Sequence, residues 1–384
     1  MTICATRPLN TLAVFKAANG ISGSKMETAK GMRLHIAIFG KTNSGKSTLM
    51  NLLTGQEVSM VSDAPGTTTD PVYKNMELDG IGPVTFIDTA GFLDDTTLGK
   101  QRMERTRKVI DEIDCAILLE GVDGEFLERI YKKNIPTLSL RYPFPEKERI
   151  LNELKILLKE KKKAPGLLDG LDIGEGHFLL VMPQDESAPA GRLILPQVQT
   201  MREILDRGYT ATISTLETMD ASLRHLQKAP DWIITDSQVF PEVYEKKPKD
   251  SKITSFSILF ARAKGDEEIM IEGARHLMGL GENARILMSE ACTHAPKEED
   301  IGRVKIPRML RKKLGDNITI DFSRGIQFPE DISDYDVVVM CGSCMFQRPV
   351  VQSRIEKARE AGVHITNYGM VIAAAKGILD KIDF

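Results

Sequence analysis

A glycine-rich segment limits the folds open to this chain more than any other feature. It reads GKTNSGKS over residues 40–47, and it lies between the apolar residues 34–39 and the helix-forming residues 48–53. A strand, the pattern G-x-x-x-x-G-K-S/T and a helix, in this order, form the context in which the pattern binds phosphate. The glycines allow backbone amides to turn toward a phosphate chain, and the helix N-terminus adds partial positive charge. The sequence therefore predicts an α/β unit with a nucleotide site.

The residues of this segment have separate predicted roles. Lys46 would reach the β- and γ-phosphates, and the hydroxyl of Ser47 would ligate Mg²⁺. An ordinary glycine-rich turn is the alternative, but the complete pattern stands in the context that phosphate binding needs. The predicted nucleotide-binding residues are Gly40, Asn43, Ser44, Gly45, Lys46, Ser47, Thr48, Thr67 and Thr68.

Two further motifs follow in the order that a GTPase requires. Residues 66–71 read GTTTDP, a polar loop in which Thr68 would meet Mg²⁺ and the γ-phosphate. The apolar strand 84–87 leads into DTAG, where Asp88 would hold Mg²⁺ through water and the Gly91 amide would meet the γ-phosphate. Three motifs in register predict a Mg²⁺-dependent nucleotide hydrolase. The predicted catalytic residues are Lys46, Thr68, Asp88 and Gly91.

This part of the chain resembles the TrmE/Era group of translation-factor-like GTPases, through GKTNSGKSTLMNLLTGQ, APGTTTDP and DTAGF. Asn43 stands where the potassium-activated members of that group carry a metal-coordinating asparagine. Phe92 stands where many small GTPases place a glutamine that orients water, and an apolar residue cannot do so. A K⁺ ion near Asn43 is therefore the candidate source of transition-state charge, and a plain loop residue is the alternative for Asn43.

The motif N-K-x-D, which reads guanine, is not found where it is expected. Residues 132–143 read KKNIPTLSLRYP and have no aspartate at the required offset from an Asn-Lys pair. The segment between Leu119 and the helix predicted near residues 145–159 is also about one strand–helix unit short. The choice of GTP therefore rests on the resemblance and not on a base-contacting residue.

Composition bounds the partners and the compartment. The formal net charge of −3 argues against a broad nucleic-acid-binding surface. The sequence has no apolar run long enough to span a bilayer, so we expect no membrane partner. The cysteines are too few and too clustered for a secreted disulfide framework, which favours a reducing, cytoplasmic setting. They are Cys4, Cys115, Cys292, Cys341 and Cys344.

We expect an extension followed by three α/β domains. Residues 1–31 form the extension or leader, because they are acid-poor until Glu27 and a second start, Met32, adjoins the first strand; a transit peptide is the alternative. The domains are predicted at 32–163, 164–260 and 261–384. Strands are predicted at 178–182, 210–214, 232–236, 254–259, 284–288 and 336–340, and helices at 198–205 and 221–228.

Potential metal ligands follow both predicted strands of the last domain. The first strand leads into Cys292 and His294, and the second leads into Cys341 and Cys344. Parallel strands present such residues at one edge of a sheet, so these ligands could meet. Three thiolates and a fourth ligand suit either zinc or an iron–sulfur cluster, and the spacing does not separate the two. Three buried thiols without metal are the remaining alternative.

Residues 32–384 as a whole resemble the HydF family of [FeFe]-hydrogenase maturation GTPases. The resemblance rests on ESAPAGRLILPQVQTMREILD, PDWIITDSQVF, TSFSILFARAKGD, SEACTH, DIGRVKIP, CGSCM and TNYG. It implies a GTPase domain, a central dimerisation domain and a C-terminal domain that binds a [4Fe–4S] cluster. It also implies a homodimer or higher oligomer that acts as a scaffold, works with other maturation enzymes and delivers a di-iron precursor to apo-[FeFe]-hydrogenase.

The resemblance also implies a ligand set. Against the family pattern C-x-H…H-C-x-x-C, Cys292, Cys341 and Cys344 match the cluster cysteines and His294 matches the first histidine. Met340 stands in place of the second histidine, and a thioether is a poor ligand for iron. The fourth iron position would be open or filled by His294, water, Glu298, Glu299 or Asp300. The other function classes are an RNA- or ribosome-associated GTPase and a zinc- or redox-dependent GTPase switch.

Overall fold

The computed structural model describes six stretches of the chain. They are residues 30–55, 71–91, 97–159, 165–184, 193–291 and 300–383. Four predicted site residues lie outside the described residues: Thr67, Thr68, Cys292 and His294. Phe92, Glu298 and Glu299 lie outside them as well. Within the described stretches the chain forms three α/β units, each built on its own sheet.

The first unit carries the phosphate loop at the end of its central strand. Its strands are β1 (Leu34–Phe39), β2 (Val72–Leu78), β3 (Gly82–Asp88), β4 (Cys115–Leu118) and β5 (Thr137–Ser139), and its helices are α1 (Lys46–Thr54), α2 (Thr97–Ile110), α3 (Gly124–Lys132) and α4 (Lys147–Lys159). The strand order is β2-β3-β1-β4-β5, with β2 antiparallel to β3 and the other pairs parallel. β1 is buried from its second residue onward, which explains its largely apolar sequence.

The second unit is a four-stranded parallel sheet with helices on its connections. Its strands are β6 (His177–Val181), β7 (Thr210–Ser214), β8 (Trp232–Thr235) and β9 (Lys252–Ser255), and its helices are α5 (Leu195–Asp206), α6 (Met219–His225), α7 (Phe240–Lys246) and α8 (Phe256–Lys264). The strand order is β7-β6-β8-β9, so the connection from β7 to β8 passes over β6 to its other side. This arrangement confirms the parallel α/β layer that the sequence predicts here.

The third unit repeats this topology. Its strands are β10 (Arg285–Glu290), β11 (Thr319–Arg324), β12 (Val337–Met340) and β13 (His364–Asn367), and its helices are α9 (Glu267–Met278), α10 (Ile306–Leu314), α11 (Arg348–Glu360) and α12 (Tyr368–Ala375). The parallel strands lie in the order β11-β10-β12-β13. A π-helical turn at Ile301–Lys305 precedes α10, and short 3₁₀ turns lie at Lys30–Met32 and Leu379–Lys381.

One sequence prediction is wrong for four of its six residues. The apolar run 254–259 was expected to be a strand, but β9 ends at Ser255 and α8 begins at Phe256. The Ser255 side chain accepts a hydrogen bond from the Ile258 amide at 3.4 Å, which caps the helix. Both halves of the run are buried, so hydrophobicity alone does not mark the change. α8 also extends across position 260, and the predicted domain boundary there stays a prediction.

The second and third units share one apolar core. A single cluster of buried side chains includes Ile233 and Ile253 of the second sheet together with Leu287 and Val338 of the third, with Ile258 of α8 among them. α8 is therefore held between the two sheets, and its C-terminus reaches the end of β12. Every helix in the described part of the chain is too short or too polar to cross a lipid bilayer.

Candidate functional site

The loop between β1 and α1 has the backbone of a phosphate cradle. Gly45 adopts a φ of 91° and Asn43 a φ of 62°, which are left-handed conformations that glycine and asparagine accept at low cost. The Leu49 amide then donates to the Gly45 carbonyl at 2.8 Å and starts α1. Asn43 thus has a backbone reason to be an asparagine, and its role toward K⁺ stays a prediction.

The Lys46 side chain is enclosed by this loop. Its exposed fraction is 8%, and its Nζ donates to the carbonyls of Gly40 at 3.0 Å and Lys41 at 2.8 Å. Burial lowers the pKa of Lys46, while the nearby carboxylate of Asp88 raises it. The ammonium is therefore fixed among the backbone groups that would surround a phosphate chain.

Ser47 and Asp88 form the pair expected at a Mg²⁺ site. The Ser47 hydroxyl donates to Oδ2 of Asp88 at 2.7 Å, and the other carboxylate oxygen is buried with no hydrogen-bond partner among the described residues. Burial raises the pKa of Asp88, whereas the bond from Ser47 and the charge of Lys46 lower it. A hydroxyl beside a buried carboxylate with an unused oxygen is a donor set that suits Mg²⁺.

The DTAG segment is fastened to the phosphate loop. Thr89 donates from Oγ1 to the carbonyl of Ile38 at 2.7 Å, which ties the end of β3 to the end of β1. A Cβ on Gly91 would lie 2.6 Å from Oγ1 of Thr42 and 2.7 Å from its backbone. Only glycine permits this approach, so the structure places Gly91 against the loop, and the contact of its amide with a γ-phosphate stays a prediction.

The end of β5 brings aromatic rings to the phosphate loop, a feature that sequence motifs did not indicate. A Cβ on Gly45 would lie 3.1 Å from the Phe144 ring, and this ring meets Tyr142 edge-on at a centroid distance of 5.5 Å. Tyr142 is 73% exposed. Ser47 and Asp88 meet on the β3 side of the loop, whereas these rings lie on its β5 side.

Lower pH should weaken Mg²⁺-dependent nucleotide binding. Protonation removes the charge of Asp88 that attracts the cation, and the raised pKa moves this loss above the usual range of an aspartate. In Asp88→Asn, binding should be at least about tenfold weaker at neutral pH and should lose this pH dependence. The measurement is titration of a fluorescent GDP analogue at fixed Mg²⁺ from pH 8 to pH 5. Asp79→Asn, in the exposed turn before β3, is the control that should behave as wild type.

The ends of β10 and β12 lie side by side at one edge of the third sheet. Ser289 is in register with Met340, which confirms that the two ligand-bearing strands run parallel and adjacent. The Cys341 amide donates to the Ser289 carbonyl at 2.9 Å, and the Ala291 amide donates to the Cys341 sulfur at 3.1 Å. Cys292 follows Ala291 directly in the sequence. The structure therefore brings the two ligand-bearing segments together.

Two of the four predicted metal ligands lie among the described residues. Cys341 and Cys344 are described and form no disulfide, whereas Cys292 and His294 lie outside the described residues. Among the residues that are described, no three His, Cys, Asp or Glu side chains form a metal-binding group. Asp300 caps the π-helical turn by accepting from the Arg303 amide at 2.9 Å, which gives this carboxylate a structural role. An amide donor on a thiol sulfur, as at Cys341, nevertheless suits a thiolate that binds iron.

The C-x-x-C loop also contacts the first unit. The side-chain amide of Gln347 lies 2.5 Å from Nε2 of His35, the second residue of β1. A Cβ on Gly31 would overlap the carbonyl oxygen of Cys344. Lys133 at the end of α3 pairs with Glu356 of α11 at 3.1 Å. The start of β1 thus lies against the loop that carries Cys344, a contact that sequence motifs do not reveal.

Family comparisons agree with this architecture. Residues 268–382 match the hydrogen maturase F tetramerization domain, and residues 167–265 match the hydrogen maturase F dimerization domain. The chain belongs to the HydF family. Residues 35–159 match the 50S ribosome-binding GTPase family, which confirms the predicted class of the first unit. The two HydF domains indicate a homo-oligomer.

Curated relatives match the first unit of this HydF family member. The tRNA modification GTPase MnmE of Chromobacterium violaceum is 41% identical over 105 residues, which cover 25% of this chain and 23% of that protein. GTPase Der of Nautilia profundicola is 44% identical over 89 residues, 22% of this chain and 19% of that protein. The chain thus spans less than a quarter of either relative. Among solved structures, Aquifex aeolicus Era matches with 17% identity over 77% of this chain and 94% of that chain, with a TM-score of 0.24.

Proposed function

We propose that this chain is a GTPase and iron–sulfur carrier that matures [FeFe]-hydrogenase. The first unit would hydrolyse GTP with Mg²⁺, and the third would hold a [4Fe–4S] cluster on which a di-iron precursor is presented to apo-hydrogenase. The observation that carries this proposal is the joint presence, in one chain, of a phosphate loop with the Ser47–Asp88 pair and of two HydF domains. The proposed setting is the cytoplasm, because its cysteines suit a reducing compartment.

The residues of the first unit supply positioning and charge for hydrolysis. Lys46 would exchange its two carbonyl partners for phosphate oxygens, since an ammonium binds phosphate more strongly than a neutral carbonyl. Ser47 and Asp88 would hold Mg²⁺ between the β- and γ-phosphates. The Gly91 amide would lie at the γ-phosphate, where a switch segment senses the presence of that phosphate. Thr68 and a K⁺ ion near Asn43 complete the proposed catalytic set.

The residues at the edge of the third sheet would hold the cluster. Cys341, Cys344 and Cys292 would bind three irons, and the fourth iron would stay exchangeable or take His294. When bound, the cluster would supply an open iron position for a second iron unit. The oligomer that the two HydF domains indicate would present several such sites.

Anaerobic reconstitution tests both halves of the proposal. Protein incubated with ferrous iron and sulfide should become brown and contain iron and sulfide in equal amounts, and the same preparation should release phosphate from GTP only with Mg²⁺. Addition of K⁺ should raise the rate. A colourless protein with stoichiometric zinc would instead favour the zinc-dependent switch, and nucleic acid that copurifies with the protein would favour the RNA-associated GTPase.

Nucleotide selectivity should be weak. A site that hydrogen-bonds a base rejects the wrong one by about 10⁴-fold or more, whereas a site without such groups discriminates by about a hundredfold at most. In the described segment after β5, residues 140–145 contain no carboxylate that could read guanine. We therefore expect GTP to bind less than about a hundredfold more tightly than ATP. Competition of both nucleotides against a fluorescent GDP analogue measures this ratio, and a larger preference would reveal a guanine-binding group elsewhere in the chain.

A further inference from the structure

A lysine that belongs to none of the sequence motifs binds the backbone of the C-x-x-C loop. Lys264, the last residue of α8, donates from its Nζ to three carbonyls of that loop: Phe346 at 2.7 Å, Ser343 at 3.1 Å and Cys344 at 3.2 Å. An ammonium has three N–H donors, so these three acceptors use its full capacity. The stem of Lys264 also crosses the face of Phe260, with Nζ 4.9 Å from the ring centroid.

This arrangement differs from an ordinary charge at a helix end. A lysine in the last turn usually favours the carbonyls or the dipole of its own helix. Here the ammonium serves carbonyls that are about eighty residues away in the sequence. Burial lowers the pKa of Lys264 to about 8, and the thiols of Cys344 and Cys341 raise it. Three carbonyl acceptors around one nitrogen fit the protonated ammonium, which has three N–H donors.

The loop needs such support because its backbone is strained. Ser343 adopts a φ of 50°, a left-handed conformation that is unfavourable for a residue other than glycine or asparagine. The Ser343 hydroxyl donates to the Cys341 carbonyl at 3.1 Å, but this local bond does not connect the loop to the rest of the fold. The bonds from Lys264 connect the loop to α8, and one of them ends on the strained residue itself.

A second cation lies on the other side of the loop. Arg354 of α11 is only 4% exposed, and it donates to the Ser289 hydroxyl at 2.7 Å and to the Gly325 carbonyl at 2.6 Å. Its guanidinium lies 4.3 Å from the ring centroid of Phe346. Arg354 lies near the buried carboxylate of Glu112 as well as near Cys341. A cluster bound through the thiolates of Cys341 and Cys344 would add negative charge beside both cations.

We propose that Lys264 is a positioning residue of the cluster site, which fixes the loop Cys341–Phe346 and, together with Arg354, offsets the negative charge of the thiolate-bound cluster. This inference rests on the proposed function, because it assigns the cations to a cluster that the third unit would hold. It assigns a role to α8. This helix falls within the match to the dimerization domain, but its last residue contacts the C-x-x-C loop of the third unit.

Lys264→Met tests the inference in the full-length, anaerobically reconstituted protein. Methionine keeps the length and the apolar stem but removes the charge and all three donors. Iron release to excess bathophenanthroline disulfonate should become about tenfold faster, since charge-assisted hydrogen bonds are lost. At a fixed potential the ratio of reduced to oxidised cluster, measured by EPR, should fall by about tenfold, because a nearby positive charge stabilises the reduced form.

Two further variants separate a specific effect from general loss of stability. Lys264→Arg keeps the charge but replaces the converging ammonium with a planar fork, so iron release should accelerate while the reduced-to-oxidised ratio stays near that of wild type. This variant also serves if Lys264→Met fails to fold. Lys252→Met is the matched control. The Nζ of Lys252 also lies over an aromatic ring, 5.5 Å from the ring centroid of Trp232, but it pairs with Asp172 on the surface of the second unit. It should change neither measurement.

The outcomes distinguish the inference from the proposed function. Wild-type protein that takes up no iron and sulfide would overturn the proposed function and this inference with it. Wild-type protein that binds a cluster, with Lys264→Met equal to it in iron release and in redox ratio, would overturn the inference alone. Equal acceleration of iron release in Lys264→Met and Lys252→Met would also overturn it, because the effect would then not belong to the loop.

Discussion

Lys46→Ala is expected to reduce the kcat for GTP hydrolysis at least about a thousandfold. The lysine is enclosed by the phosphate loop, and its two carbonyl partners fix the ammonium before nucleotide arrives. Its removal takes away the ammonium that would stabilise the negative charge developing on the oxygen between the β- and γ-phosphates. Because the ammonium is buried to 8% exposure, no other described side chain of the loop stands in its place. Phosphate release under saturating GTP and Mg²⁺ measures the effect.

The matched control is Lys155→Ala, on the outer surface of α4. Its Nζ lies 3.8 Å from the exposed Asp79, an ion pair of little energetic value, so its kcat should equal that of wild type. We further expect Lys46→Ala to keep its full iron and sulfide content, because the lysine lies in the first unit and the C-x-x-C loop in the third. A Lys46→Ala protein that turns GTP over at the wild-type rate would refute the phosphate site, and one without iron would refute the independence of the two sites.

Cys341→Ser is expected to lose most of the reconstituted iron, at least about four-fifths of the wild-type content. The sulfur of Cys341 accepts the Ala291 amide at 3.1 Å, which fixes it beside the segment that continues into Cys292. A serine oxygen keeps the shape of the loop but is a harder and more basic ligand, which an iron–sulfur cluster accepts poorly. Colorimetric iron and sulfide assays with the visible absorption spectrum give the result.

Cys115→Ala provides the comparison for this loss. Cys115 is fully buried in β4 of the first unit, where it packs with Ile36 and Ile117, so it has no route to iron. This variant should keep its iron, at a cost of about 1 kcal/mol in the free energy of unfolding from the smaller side chain. GTP turnover in Cys341→Ser should also be retained. Full iron content in Cys341→Ser would exclude this cysteine as a ligand.

The phosphate site was predictable because its signals are local and ordered along the chain. The spacing of Gly40, Gly45 and Lys46 fixes one loop, and the strand that ends at Asp88 supplies the other half by the rule for parallel strands. The same rule placed the ends of β10 and β12 side by side, and register confirms it. Where a pattern carries both spacing and order, tertiary neighbours follow from it.

The misjudged and missed features depend on contacts that no local pattern encodes. The run ending at Leu259 changes from strand to helix at Phe256 without any change in hydrophobicity, and the cap at Ser255 was its one local signal. Lys264 reads in the sequence as a solvated charge at a helix end. Its partners come from a loop far along the chain, so its role emerges only once α8 lies between two sheets.

One short strand touches both proposed sites. β1 spans about 20 Å. Gly31, just before the strand, lies against the Cys344 carbonyl, and His35 near its start contacts Gln347. Its last residue, Phe39, directly precedes the phosphate loop. A C-terminal fragment that begins after α4 would therefore expose one side of the C-x-x-C loop and leave Gln347 without His35 beside it. Metal-loading studies on such a truncated fragment would understate the capacity of the intact polypeptide.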